Sequence, residues 1–139
     1  MQPIWIVDDD PSIRFVLERA LAREGLPSRS FTQAQEVLDA LADIHQGVSA
    51  LPRPQVLVSD IRMPDMSGLQ LLEQVQAQDP ELPVLLLTGH GDVPLAVQAM
   101  RAGYYDFLEK PFASDALQNS VPRALEVRRL LWDTSRLRP

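Results

Sequence analysis

Short, wholly apolar runs alternate along this chain with apolar stripes of helical period. Ile4-Trp5-Ile6-Val7 ends abruptly in Asp8-Asp9-Asp10, Val56-Leu57-Val58 ends at Ser59-Asp60, and Val84-Leu85-Leu86-Leu87 ends at Thr88-Gly89. Runs apolar on both faces suit strands of a parallel sheet covered from both sides. Weaker strands are predicted at Ser28–Phe31 and Tyr105–Leu108. Between the strands, Ile13, Val16, Leu17, Ala20 and Leu21 form one apolar stripe, with Gly25 placed to end that helix. Val37, Leu38, Leu41 and Ala42 form a second, and Leu69, Leu72, Val75 and Gln76 a weaker third. Asp92-Val93-Pro94 opens a fourth helix running to about Ala102 and Gly103, the proline being tolerated only in a first turn. Ser114 is placed to cap a last helix from Asp115 onward.

This is β-α repeated five times, which predicts an α/β fold: a doubly wound, five-stranded parallel sheet with right-handed crossovers and helices on both faces. Two stretches strain the scheme. His45 to Pro54 reads as a long surface loop, and Pro122 should kink the last helix or end it and begin another.

In open α/β sheets, ligands sit outside the carboxyl ends of the strands. Here those ends carry Asp8, Asp9 and Asp10, then Asp60, then Thr88, and the fifth strand leads into Lys110-Pro111, which holds the chain's one lysine. Carboxylates crowded on one rim repel, so either some stay protonated or a cation holds them. Magnesium suits oxygen ligands and keeps positions open for water and phosphate. An aspartate in such a site can attack a phosphoryl group, with Lys110 and the Thr88 hydroxyl placed to meet the transferred oxygens. Each feature also has a plainer reading. Three aspartates before a helix suit N-cap and dipole chemistry, a lone Asp after a strand suits a turn, and a Thr there is commonly structural. It is their joint order on successive strands that points to chemistry.

Composition narrows the classes. With 139 residues, 45% of them apolar, the chain fits one domain with one core. No cysteine is present, which excludes disulfides, thiolate metal sites and cysteine nucleophiles. The opening MQPIWIVDDD shows no basic leader, and no apolar stretch approaches the ~20 residues that span a bilayer. The expectation is a cytoplasmic protein that does not enter the membrane. Net charge is −6, divided as −9 over residues 1–121 and +3 from Pro122 onward. So acidic a body argues against nucleic-acid binding by this domain, because phosphate contacts need clustered Lys and Arg.

VDDD at 7–10, SDIRMPDMSG at 59–68, LLTGHGD at 86–92 and YDFLEKPF at 105–112 resemble the receiver domains of bacterial two-component response regulators across about residues 3–121. The resemblance implies a flavodoxin-like (CheY-like) strand order 2-1-3-4-5. It places a receiver domain over 1–121 and a helical extension, the start of a linker, over 122–139. It implies that Asp60 accepts a phosphoryl group from a sensor histidine kinase. Asp9, Asp60 and the backbone carbonyl of Arg62 would ligate Mg2+, with Asp8 acting mainly through water. Lys110 would pair with the acceptor and then the phosphoryl group, while Thr88 and Phe107 would move together as the switch. Pro111 would follow a cis peptide bond. Gly68 and Gly103 match glycines at tight backbone positions.

SDIRMP, TGHGD and DFLEKPF look like regulators that act with the sigma-54 polymerase, of the nitrogen-regulation or dicarboxylate-transport type. Those continue into an ATPase and a DNA-binding domain, neither of which is encoded in these 139 residues. The expectation is a regulatory fragment, with a free-standing receiver as the alternative. Tyr104 stands where the family usually has Ala. A magnesium-dependent phosphatase is disfavoured, because the position two residues after Asp60 is Arg62 and cannot protonate a leaving group. The reading is of a switch rather than an enzyme, with only limited self-catalysed phosphotransfer and dephosphorylation. Leu125, Leu130, Leu131 and Leu137 lie between arginines in the tail, so a homodimer through that helix is expected.

Overall fold

The structure is a computed structural model that describes residues 4–47, 53–61, 63–89, 93–103, 106–109, 122–124 and 126. Its elements alternate: β1 (Ile4–Val7), α1 (Pro11–Arg23), β2 (Ser28–Phe31), α2 (Ala34–His45), β3 (Val56–Asp60), α3 (Gly68–Gln78), β4 (Val84–Thr88), α4 (Val93–Ala102) and β5 (Asp106–Glu109). The strands form one sheet in the order β2-β1-β3-β4-β5, and every pairing is parallel. This is the expected doubly wound topology.

The two-residue period of the strands sorts the core into two layers. Trp5, Val7, Leu57, Val84 and Leu86 meet α2 and α3 through Val37, Leu38, Leu41, Leu71, Leu72 and Val75. The alternate residues Ile4, Ile6, Val56, Val58, Leu85 and Leu87 meet Leu17, Ala20 and Leu21 of α1 on the other face. Every residue of β1, β3 and β4 is buried. At about 1.5–3 kcal/mol for each large apolar side chain, this double coverage is the main stabilising term. Ala124, in a helical stretch that includes Pro122, is fully buried in the α1 layer. The chain beyond 121 therefore still contributes to the core.

Four details differ from the sequence expectation. The fifth strand lies one residue later, at Asp106–Glu109, because pairing with β4 sets Leu85 opposite Asp106 and Thr88 opposite Glu109. Val16 is 45% exposed: it sits about 100° round the helix from Leu17 and falls off the edge of the contact. In α3 the buried stripe is Gly68, Leu71, Leu72 and Val75, and Leu69 only flanks it. His45 closes α2 rather than opening the loop. Gly25 follows α1 at φ +71° and Gly103 follows α4 at φ +117°, conformations that favour glycine. The Ser114 cap and Tyr104 lie outside the described residues.

At the start of α2, the Glu36 carboxylate accepts hydrogen bonds from the Thr32 hydroxyl at 2.6 Å, the Thr32 amide at 3.2 Å and the Gln33 amide at 3.0 Å. The Thr32 hydroxyl bond is the main reason its carboxyl titrates below the ordinary value of 4.5. A carboxyl depressed on folding contributes stability above its unfolded pKa and loses it as pH falls through the folded one. Glu36→Gln should therefore lower the urea midpoint at neutral pH. The difference from the natural chain should shrink once pH drops below 4.5, as denaturation curves across a pH series would record.

Candidate functional site

Strand register brings the polar strand ends together. Val7 pairs with Ser59, Asp60 with Leu87, and Thr88 with Glu109. Asp8 follows β1, Asp60 ends β3 and Thr88 ends β4, so all three occupy one edge of the sheet. The carboxylates of Asp8, Asp9 and Asp60 each place an oxygen within 4.8 Å of the other two. Asp8 is fully buried, Asp60 is 7% exposed and Thr88 2%, whereas Asp9 opens to solvent.

Local bonding explains how three successive aspartates divide their work. Asp10 caps α1: its carboxylate accepts from the Ser12 amide at 2.8 Å, with Pro11 at the first helical position. The Asp10 amide in turn donates to the Asp8 carboxylate at 2.9 Å. The Asp8 amide donates to the Phe31 carbonyl at 3.2 Å and fastens the end of β1 to β2. The capping reading of the triplet applies to Asp10, whereas Asp8 and Asp9 gather with Asp60. Asp10 holds the helix, while Asp8 and Asp9 face the site.

One participant was missed in the sequence. Arg14, on the first turns of α1, donates from its guanidinium to the Asp8 carbonyl at 2.6 Å. It clamps the acidic loop and brings positive charge to its edge. The available signal was a basic residue one turn into a helix that follows an acidic strand end. Across the site, the Ile61 amide donates to the Leu87 carbonyl at 3.0 Å and the Gly68 amide to the Ile61 carbonyl at 2.9 Å. These bonds close the loop after Asp60 onto the start of α3.

Carboxylates gathered this closely, two of them buried, repel one another unless a cation or protons offset the charge. All the donors are hard oxygens, with one acid open to solvent. That set fits a divalent cation such as magnesium, which retains part of its water shell. Asp8, Asp9 and Asp60 are the side chains that would hold it. Lys110, Pro111 and Arg62 lie outside the described residues, as does the side chain of Phe107, whose backbone belongs to β5. His45 is exposed at the end of α2, and His90 lies outside the described residues.

A doubly wound sheet with an acidic rim, an aspartate ending its central strand and a hydroxyl on the neighbouring strand is the architecture of a signalling receiver. Residues 4–122 match the response regulator receiver domain, and the chain belongs to that family. It is 51% identical over 135 residues to the C4-dicarboxylate transport transcriptional regulatory protein DctD of Pseudomonas aeruginosa, covering 97% of this chain and 28% of that protein. It is 48% identical over 122 residues to the DNA-binding transcriptional regulator NtrC of Escherichia coli, covering 88% of this chain and 24% of that one. The crystal structure of the receiver domain of NtrX from Brucella abortus superposes with a TM-score of 0.79 at 38% identity, covering 88% of this chain and 98% of that domain. The chain thus spans under a third of the length of the DctD and NtrC proteins it matches.

Asp9 is the exposed member of the acid cluster, and Asp10 already serves as the cap. Asp9→Asn should therefore leave the fold intact and weaken magnesium binding by about tenfold or more in calorimetric titration. An unchanged affinity would show that Asp9 is not a ligand.

Proposed function

We propose that this chain is a phosphorylation switch in which Asp60 takes a phosphoryl group from the phosphohistidine of a sensor histidine kinase. The observation that carries the reading is the convergence of Asp8, Asp9 and Asp60 within 4.8 Å at the end of a buried central strand, with Thr88 ending the strand beside it. An Asp60 carboxylate oxygen attacks phosphorus as the P–N bond to the histidine breaks, leaving an acyl phosphate and a neutral imidazole. Magnesium, when bound, offsets negative charge on the group in transfer. Asp9 and Asp60 with the Arg62 carbonyl would hold that ion, and Asp8 would support it, chiefly through water. Lys110 would neutralise the acceptor and then the phosphoryl oxygens. The Thr88 hydroxyl would donate to a phosphoryl oxygen, with Phe107 turning inward as Thr88 moves and a cis bond before Pro111 shaping the Lys110 loop.

The likeness to DctD and NtrC supports a place at the head of a sigma-54-dependent transcriptional activator in the cytoplasm. There the receiver, residues 1–121, leads through a helical linker that starts near 122 to an ATPase and a DNA-binding domain. The acidic body leaves DNA contact to those downstream parts. A homodimer formed by the segment after Pro122 completes the proposal.

Two measurements test it. Acetyl phosphate with magnesium should add one phosphoryl mass to the chain, and Asp60→Asn should abolish the addition. Undiminished labelling in that variant would overturn the acceptor assignment. Light scattering should find a dimer for the whole chain and a monomer for a chain ending at Glu126, which keeps the buried Ala124. Equal masses for the two would remove the tail from the interface.

A further inference from the structure

We infer that Asp65 is a positioning residue for the metal site: its carboxylate ties the loop after Asp60 to the start of α2 and thereby sets the affinity of the site for magnesium. The inference rests on the proposed reading of Asp60 and the Arg62 carbonyl as part of that site.

The bonding is unusual in its reach. Helix α2 starts at Ala34 with Gln33 at its N-cap, and Gln33 and Glu36 form a capping box that serves the Glu36 and Gln33 amides but not those of Ala34 and Gln35. Its first two amides are served from another part of the chain. Ala34 donates to one Asp65 carboxylate oxygen at 3.2 Å and Gln35 donates to the other at 2.9 Å, across 31 and 30 residues of sequence. A carboxylate at a helix N-terminus is favoured by the helix dipole as well as by the bonds. Asp65 therefore acts as a cap that α2 borrows from the phosphoacceptor loop, and the loop is held by the helix in return.

The tie adds to bonds at both ends of the loop. Its first end is bonded into the sheet through Ile61 and Leu87, and Gly68 closes back onto Ile61. Its far end is set by Ser67, which accepts from the Gln70 amide at 3.2 Å while its own amide donates to the Gln70 side chain at 3.0 Å. Between these ends the loop borders an open cleft of about 390 Å³, lined by Ile61, Met63, Pro64, Met66 and Leu69 together with Asp65. Met63 and Met66 pack against the core beside that cleft, and Asp65 adds a polar tie that bonds the middle of the loop to a separate element. Magnesium demands near-octahedral geometry, so small displacements of a loop that carries a ligand cost affinity.

Asp65→Ala in the 139-residue chain should weaken magnesium binding in calorimetry by about tenfold, at the low end for loss of a supporting partner. The rate of acetyl phosphate labelling at saturating magnesium should stay within about twofold, because the reacting groups are untouched. Since the variant also loses a helix cap, Gln33→Ser in the same background separates the two roles. Serine caps better than the Gln33 of the present capping box, so the thermal midpoint should return while the magnesium curve stays shifted. Asp65→Asn, which keeps one acceptor oxygen, should fall between the natural chain and Asp65→Ala, and it serves if Asp65→Ala does not fold. An unchanged affinity in Asp65→Ala, or an affinity restored together with stability by Gln33→Ser, would overturn the inference and leave Asp65 a helix cap only. No magnesium binding by the natural chain would overturn the metal reading itself, and this inference with it.

Discussion

A parallel sheet covered on both faces can hold almost nothing but hydrocarbon in its interior, and the rest of this molecule follows from that constraint. β1, β3 and β4 are buried along their whole length, so in these three strands charge appears only where they stop. It does so at one edge, where Asp8, Asp60 and Thr88 remain almost wholly buried. Water screens such groups poorly, which raises both the cost of leaving charge uncompensated and the strength with which a cation or phosphoryl group is held. The polar groups gather at the rim because the strands beneath it are filled with hydrocarbon.

A buried cluster of like charges would spread apart without supports, and the supports are mostly backbone groups. Asp10 holds the first turn of α1 and donates its amide to Asp8. Arg14 reaches back to the Asp8 carbonyl, while Ile61 and Gly68 fold the following loop against β4 and α3. Asp65 extends the same scheme to α2. Each acid that faces the site is thus flanked by residues whose hydrogen bonds are satisfied within the fold, and these fix where it points. At the opposite end of the sheet, Asp79 is also buried, but it pairs with Arg53 at 3.0 Å. That partner compensates the buried charge, whereas the rim leaves Asp9 open to solvent.

The alternation of apolar runs with helical stripes was legible in the sequence because strands and helices have different periods, and here each segment keeps to one. The cluster of Asp60 with its neighbouring acids was legible because carboxylates directly after apolar strands have few plain explanations in combination. Residues at element edges were less so. Val16 matches the stripe of α1 yet lies outside the contact, and Leu69 yields the buried position to Leu71, because periodicity gives the apolar side of a helix but not the width of the surface it meets. The one-residue shift of β5 has a similar cause: either frame of Tyr-Asp-Phe-Leu-Glu reads as a strand, and pairing with β4 selects one.

Taken alone, the sequence determined the α/β class, the helical and extended segments, and the set of acids, hydroxyl and lysine at the strand ends. All of these depend on interactions between residues near one another in the chain. The tertiary structure decided which of three adjacent aspartates caps a helix and which two meet Asp60. It also brought Arg14 to the Asp8 carbonyl and Asp65 to amides some 30 residues away. These bonds join groups that approach only when strand register and helix packing are complete. No local pattern encodes them, because their energies depend on distances that exist only in the assembled fold.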